Sequence, residues 1–322
     1  MLRLHFDGTD LARVRLRPPP LMIEVMYSAE LLRQRLDGVL FDEWRRRTRQ
    51  RLNGSVRPLL ELVPPDKWWP AFLAPPEPAD DLGGALDTIR ATPRQRMHQS
   101  FASIALAQPL PASARRLADG DPEALTLLTA AIRGYHDAAV APYLQSMRAC
   151  IEADLAVRAR ILAEGGIGRL FASLHPSLRW ESPTLYVPSP YDEDIQLGGR
   201  GLMLMPSIFI RAGPQPYMSV DPPKLLYPLP GDPLRHMAIW HPPVTGNGAL
   251  GALLGRTRAA VLDAVAAGCT TTELARRLAI SPASASEHAS VLRRTGLIVS
   301  QRYRNTVLHT LTPLGAELLN RS

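Results

Sequence analysis

The sequence predicts an α+β chain of two domains, a large helical and mixed-sheet domain at 1–245 and a small one at 250–322. Three observations predict it. Residues 81–174 carry apolar positions at helical spacing almost without interruption. Beyond Pro176 the pattern changes to short apolar runs between Pro and Gly, typical of strands in an irregular sheet. After Thr245-Gly246-Asn247-Gly248, the best linker in the chain, helical spacing resumes and ends in two strand-like runs. With 322 residues and 46% hydrophobic content, the chain can bury two cores.

Taken in order, Met1 to Phe6 alternates apolar and polar residues, consistent with a strand. Gly8-Thr9-Asp10 reads as a turn and helix cap, and Val14 to Leu16 as a second short strand. Pro18-Pro19-Pro20 breaks the chain before a helix from about Ile23 to Leu36. The basic run Arg45-Arg46-Arg47, Arg49 and Arg51 invites a nucleic-acid reading, but spread over two helical turns it reads first as a solvated face. Pro64 to Pro78, with Trp68-Trp69, is expected to be an ordered loop with aromatic anchors. Helices are expected at 81–91, 94–107, 111–118, 122–136 and 139–163, the last ended by Gly165-Gly166. Strands are expected at 178–180, 185–187, 202–205, 225–227 and 237–240.

Catalytic and metal constellations are not evident. G-x-S-x-G, H-E-x-x-H and phosphate-loop patterns are absent, so no enzymatic activity and no cofactor are expected. Gly198-Gly199-Arg200-Gly201 precedes a strand-like run and reads as a turn rather than a dinucleotide loop. Asp192-Glu193-Asp194 could bind a cation, but three adjacent acids in a loop read as solvated. His175, His236 and His241 read as structural or exposed, and Cys150 as a small core residue. All five tryptophans, at 44, 68, 69, 180 and 240, lie in the large domain, where they either fill the core or line a pocket for an apolar molecule. Cys150 and Cys269 are too distant in sequence to suggest a disulfide framework. The early charges of MLRLHFDGTD do not suggest a signal peptide, and no apolar run approaches the roughly 18 residues of a membrane span. A cytoplasmic, nucleoid-associated protein is therefore expected.

The small domain is the most legible. Thr271 or Thr272 reads as the N-cap, with Leu274, Ala275 and Leu278 on one face of a short helix. Ile280-Ser281-Pro282 stops that helix and starts the next, with Ser281 as cap and Pro282 at the first helical position. Along the second helix Ala285, Ala289 and Leu292 form a narrow apolar seam, and Gly296 ends the helix after Arg293-Arg294. Leu297-Ile298-Val299, the polar tip Arg302-Tyr303-Arg304-Asn305 and Val307 to Leu311 then read as a β-hairpin. Helix, turn, helix and hairpin together describe a winged helix-turn-helix, a DNA-reading device.

Leu274-Ala275, Leu278, Ser281, Ser286, His288, Leu292, Gly296-Leu297 and Leu311-Thr312-Pro313-Leu314-Gly315 also carry a resemblance. The last quarter of the chain resembles the ArsR-type bacterial repressors. FDGTDLARVRL, GRGLMLMPSIF and LLYPL further resemble the N-terminal region of an actinobacterial group of such regulators, a region of unassigned function. The resemblance implies a repressor that binds double-stranded promoter DNA as a homodimer, paired through helices at about 250–267 and 313–320; that it is ligand-responsive is expected from the architecture, a large domain attached to such a reader. Metal-sensing members carry paired cysteines on the helix before the turn; Thr and Leu stand there in this chain, so no metal site is expected and a small organic effector is the implied signal.

Charge agrees with a polyanionic partner. Residues 250–322 hold nine Arg and four acidic residues, a net +5 of the chain's +7. Ala283, Ser284, Ser286, Glu287 and Ser290 lie away from the apolar seam and are the candidates for the major groove, where Glu287 could accept from a cytosine amine. Arg276, Arg277, Arg294, Arg302, Arg304 and Asn305 are candidates for phosphate contacts. His288, close to the seam, either braces the helix or holds a phosphate, and the resemblance keeps it in the DNA-binding set. An enzyme with a DNA-binding tail and an architectural DNA binder are the rival functions; the large domain serves sensing, dimerisation or both.

Overall fold

The computed structural model describes all residues except 35–38, 66–68, 75–80, 107, 231–238, 241–246, 267, 304–305 and 321–322. Trp68, His236, His241 and the 245–246 part of the expected linker thus lie outside the described residues. The chain divides into two compact units, Met1–Trp240 and His241–Ser322. The first begins β1 (Leu2–His5), α1 (Gly8–Ala12), β2 (Arg15–Leu16), α2 (Leu21–Arg33), α3 (Asp42–Arg51) and α4 (Arg57–Leu62). It continues with α5 (Leu82–Arg90), α6 (Arg94–Ala105), α7 (Ser113–Ala118), α8 (Pro122–Ala139) and α9 (Leu144–Leu174). Strands follow: β3 (Arg179–Glu181), β4 (Thr184–Val187), β5 (Glu193–Gln196), β6 (Met203–Ser207), β7 (Gln215–Tyr217) and β8 (Lys224–Pro228). The second unit comprises α10 (Asn247–Leu254), α11 (Arg256–Ala264), β9 (Cys269–Thr270), α12 (Thr271–Leu278) and α13 (Pro282–Arg294). It ends with β10 (Ile298–Tyr303), β11 (Thr306–Leu311) and α14 (Pro313–Asn320). The molecule is therefore the mixed α and β structure expected.

The first unit holds two main cores. In the helical one, α8 buries Leu125, Leu128, Ile132, Tyr135 and Ala139, a stripe at helical spacing, among side chains of α2, α3, α4 and α5. Here the alternatives for the tryptophans resolve. Trp44 and Trp240 are fully buried against Phe41, Phe209 and Tyr143, and the Trp44 indole donates to the Ala139 carbonyl at 2.7 Å. Trp180 packs on Phe6 and Phe171, and Trp69 on Tyr27. These rings are core, not pocket lining.

Two four-stranded sheets, ordered β3-β4-β1-β5 and β2-β6-β8-β7, contribute to the second core. Leu2 and Leu4 of β1 pair with Val187 and Leu185 of β4, so one face of the pleat is apolar throughout. The sequence did not anticipate β5 or β7. For β5 the reason is chemical: Asp192-Glu193-Asp194 looks like a solvated loop, yet Glu193 and Asp194 pair in parallel with β1. Arg3 grips both oxygens of Asp194 at 2.9 and 3.0 Å and His5 reaches it at 2.7 Å, which draws that carboxyl down to about 2. The basic run on α3 also departs from a plain solvated face. Arg46 and Arg47 pair with Glu43, while Arg45 is 6% exposed and donates to the Leu31 carbonyl.

α9 joins the two cores by folding back on itself. Gly166, at φ 69° and ψ −174°, interrupts its helical backbone. The Arg158 guanidinium donates to the Ser173 carbonyl at 2.7 Å, although a straight helix would separate those residues by about 22 Å. The expected end of the first arm at Gly165-Gly166 is thus a reversal, after which helix resumes. The first arm gives Met147 and Ile151 to the helical core; the second gives Leu170, Phe171 and Leu174 to the sheet core. A Cβ on Gly165 would lie 2.9 Å from the Arg169 Cβ, so both glycines are needed.

Gly166 occupies a backbone region essentially reserved for glycine, so Gly166→Ala should destabilise the first unit by about 1–3 kcal/mol. All five tryptophans lie in that unit, so denaturant titration followed by tryptophan fluorescence reports it selectively. Gly54→Ala, at a site with open space, should leave the midpoint nearly unchanged.

Buried Glu24 on α2 supplies a pH dependence. Burial raises its carboxyl from 4.5 to about 7, against an opposing donation from the Ile208 amide at 3.3 Å. The folded state therefore holds this proton more tightly than the unfolded state. Its contribution to stability is greatest below pH 4.5 and declines as pH rises to about 7. Wild type and Glu24→Gln should diverge across that window in the same fluorescence titration, the variant being flatter; parallel curves would place the proton elsewhere.

Candidate nucleic-acid interface

The helix pair of the second unit is defined by its caps. Thr270, rather than Thr271 or Thr272, caps α12: its hydroxyl accepts from the Glu273 amide, and the Glu273 carboxylate accepts from the Thr270 amide and hydroxyl. Those bonds hold the Glu273 carboxyl below the usual carboxylate range. Extended β9 explains the shift, since its pairing with β11 runs through Thr270 before the helix begins. α12 ends with Ala279 in the left-handed region at φ 53°, its turn closed by the Ile280 amide donating to the Ala275 carbonyl at 3.0 Å. Ser281 then caps α13 through the Ser284 amide, with Pro282 at the first helical position.

Ala285, Ala289 and Leu292 are buried together with Leu274, Ala275, Val261 and Leu262, so the seam read from sequence is the contact between α13 and its neighbouring helices. At about 100° per residue the opposite stripe runs Ala283, Glu287, Ser290 and Arg294. Ala283, Ser286, Glu287 and Arg294 are exposed, and Ser290 is half-buried. Ser284 and His288 lie on the flank, half-buried, and the His288 Nε2 meets the Ser284 hydroxyl at 3.3 Å. Arg276, Arg277 and Arg302 are exposed, although Arg277 also donates to the Ala264 carbonyl at 3.4 Å. No ion pair involving Glu287 occurs among the described residues. Arg304 and Asn305 lie outside the described residues.

The hairpin forms a three-stranded sheet, β10-β11-β9, whose third strand the sequence reading missed because it is two residues long. Thr312 fastens it to the helices. Its hydroxyl donates to the Gly296 carbonyl at 2.6 Å and accepts from the Gly315 amide at 3.0 Å, so one side chain caps α14 and ties it to the end of α13. A Cβ on Gly315 would overlap the Leu297 carbonyl. Thr312, Pro313 and Gly315 thus have physical roles as cap, first helical residue and close-approach point. Sequence reasoning also passed over His309, buried and hydrogen-bonded to Thr271 and Ser300. The available signal was register: in the alternation it shares a face with Val307 and Leu311.

Among the described residues no three His, Cys, Asp or Glu side chains cluster to hold a metal ion, and no helix is long and apolar enough to cross a membrane. The geometry is that of a helix-turn-helix followed by a wing. A family model described as a helix-turn-helix domain matches residues 253–301, spanning α11, α12 and α13. The chain therefore carries a helix-turn-helix DNA-binding domain. No curated protein and no solved structure shows significant similarity to the chain.

Ala279 holds a conformation that a Cβ disfavours, so Ala279→Gly should stabilise the second unit by about 0.5–1 kcal/mol. Amides of 274–292 that exchange through unfolding of that unit should then exchange about two- to fivefold more slowly. Unchanged or faster exchange would show that the turn carries no strain.

Proposed function

We propose that the chain is a one-component transcriptional regulator of ArsR type, a repressor that acts by binding alone, without catalysis, metal or cofactor. A homodimer binds double-stranded promoter DNA through the second unit, in the cytoplasm. The first unit senses a small organic molecule, builds the dimer, or does both. One observation carries the DNA-reading part: the stripe Ala283, Glu287, Ser290 and Arg294 opposite the buried seam, in a unit whose net charge is strongly positive. Exposed Ala283, Ser286 and Glu287 would meet base edges together with Ser284 and Ser290; Arg276, Arg277, Arg294 and Arg302 would meet phosphates. His288 would brace the helix through Ser284. Exposed Leu253 on α10 and Leu314 on α14 support pairing through those helices. A cavity of about 260 Å³, lined by Leu62, Pro64, Pro70, Phe101 and Ile104 beside Glu61, supports a small apolar effector.

Selecting bound duplexes from a random DNA pool with the full-length protein tests this function. Repeated half-sites about one helical turn apart, or a multiple of that, should emerge. With the selected duplex, Arg302→Ala should lower the log–log salt slope by about 0.9 for each phosphate left without its arginine, about 1.8 in a dimer, and weaken selected and random DNA alike. Glu287→Ala should instead relax preference at one position per half-site, costing about 1–3 kcal/mol of discrimination. An unchanged slope for Arg302→Ala removes the wing from the interface, and unchanged selectivity for Glu287→Ala removes base reading by that carboxylate.

A further inference from the structure

The hairpin meets the helix pair at a buried polar point. His309 of β11 is 4% exposed. Its Nε2 shares a hydrogen bond with the Thr271 hydroxyl, at 3.0 Å, on the first residue of α12. Its Nδ1 shares another, at 2.8 Å, with the hydroxyl of Ser300, its cross-strand partner on β10. On the other side of β11 its partner is Cys269 of β9, a buried thiol. One imidazole thus bonds to the neighbouring strand β10 and to the start of the first reader helix, while its backbone pairs with β9.

We propose that His309 is a positioning residue for DNA reading, its neutral imidazole locking the wing in register with the helix-turn-helix. This rests on the DNA-binding function proposed above. Hydroxyls donate or accept, so either neutral tautomer satisfies both ring nitrogens. An imidazolium has the same reach but places a charge in a buried site. The charged and titratable groups on the surrounding elements include Cys269 on β9, Glu273 and Arg277 on α12, Arg293 on α13, Arg302 on β10 and Glu317 on α14. Burial, with a further contribution from the Arg293 guanidinium, lowers the imidazole's affinity for a proton. The Glu273 carboxylate, the nearest candidate counter-charge in sequence to Thr271, is engaged in the α12 capping box. A base whose folded value lies below its unfolded value keeps its full contribution above about pH 6.5. That contribution falls as pH drops through 6.5 toward the folded value. Acidification therefore unlocks the wing.

Surface electrostatics acts with the opposite sign, since added positive charge tightens binding to phosphate. The two effects are separable. The test measures affinity of the full-length protein for a duplex selected from a random pool, at constant salt, from pH 8 to pH 5.5. Wild type should lose affinity by about three- to tenfold below pH 6.5. His309→Gln keeps a donor and an acceptor but does not titrate; it should bind within about threefold of wild type at pH 8 and show no acid loss. His309→Leu should bind weakly at every pH. Identical pH profiles for wild type and His309→Gln, or tightening of both on acidification, would overturn the proposal. Failure of the wild type to bind any duplex at pH 8 would instead refute the DNA-binding function. Hydrogen exchange then tests the lock by itself: protection at 298–302 and 306–311 should fall on acidification in wild type and not in His309→Gln, and equal behaviour would overturn the lock as well.

Discussion

Close packing of α13 against α11 and α12 is the constraint on which the second unit is built, because it fixes which residues remain on the opposite stripe. Ala285 and Ala289 supply it by being small, and Leu292 closes the end of the seam. Larger side chains there would separate the helices and turn the polar stripe through an angle. The turn between the helices has to be equally tight, which is why Ala279 accepts a left-handed backbone that glycine would adopt without steric cost. Thr270 and Ser281 satisfy orphan amides at the two helix starts, so the pair is defined at each end as well as along its contact. The outward chemistry is then a consequence of inward packing.

The same logic reaches the wing, where hydrogen bonds add to the apolar contact that Leu297, Ile298 and Leu311 make with the helix core. A two-stranded hairpin has little stability alone, and this one gains a third strand from β9. Thr312 binds the end of α13 to the start of α14, and His309 binds the sheet to the start of α12. Leu308 and Val299 lie on the outer face of this sheet and are exposed, whereas Ser300 and His309 share the inner one. Ile298 and Leu311 lie on that same inner face, so the polar junction is set within an apolar contact.

In the first unit the corresponding problem is joining two cores. The reversal of α9 at Gly166 solves it, and a buried ion pair lies on its first arm. Asp154 and Arg158 pair at 3.0 Å, both nearly inaccessible, and the Tyr227 hydroxyl donates to Asp154 at 2.8 Å. Two buried charges cost several kcal/mol in desolvation each, which their mutual attraction and added hydrogen bonds offset. Here they come from β8 through Tyr227 and from the second arm through the Ser173 carbonyl. Helical arm, returning arm and sheet are thereby fixed to one another by a few polar atoms.

Periodicity and punctuation in the sequence determined most of the second unit. The seam Ala285, Ala289 and Leu292, the stop and start at Ser281-Pro282 and the end at Gly296 are local matters, set by side-chain size, capping chemistry and backbone freedom within a turn or two. The same local rules gave the helices of residues 82–139 and the glycine break in α9. Tertiary structure alone decided what depends on partners distant in the chain. It made Asp194 a strand residue gripped by Arg3 and His5, where three neighbouring acids had read as solvated. It turned Arg45 inward from a basic face, and it placed Trp44 and Trp240 in a core. It also chose His309 as the junction of wing and helices, since a strand residue's polar partners come from whichever elements fold against it, and no spacing within VLHTL names Thr271 or Ser300.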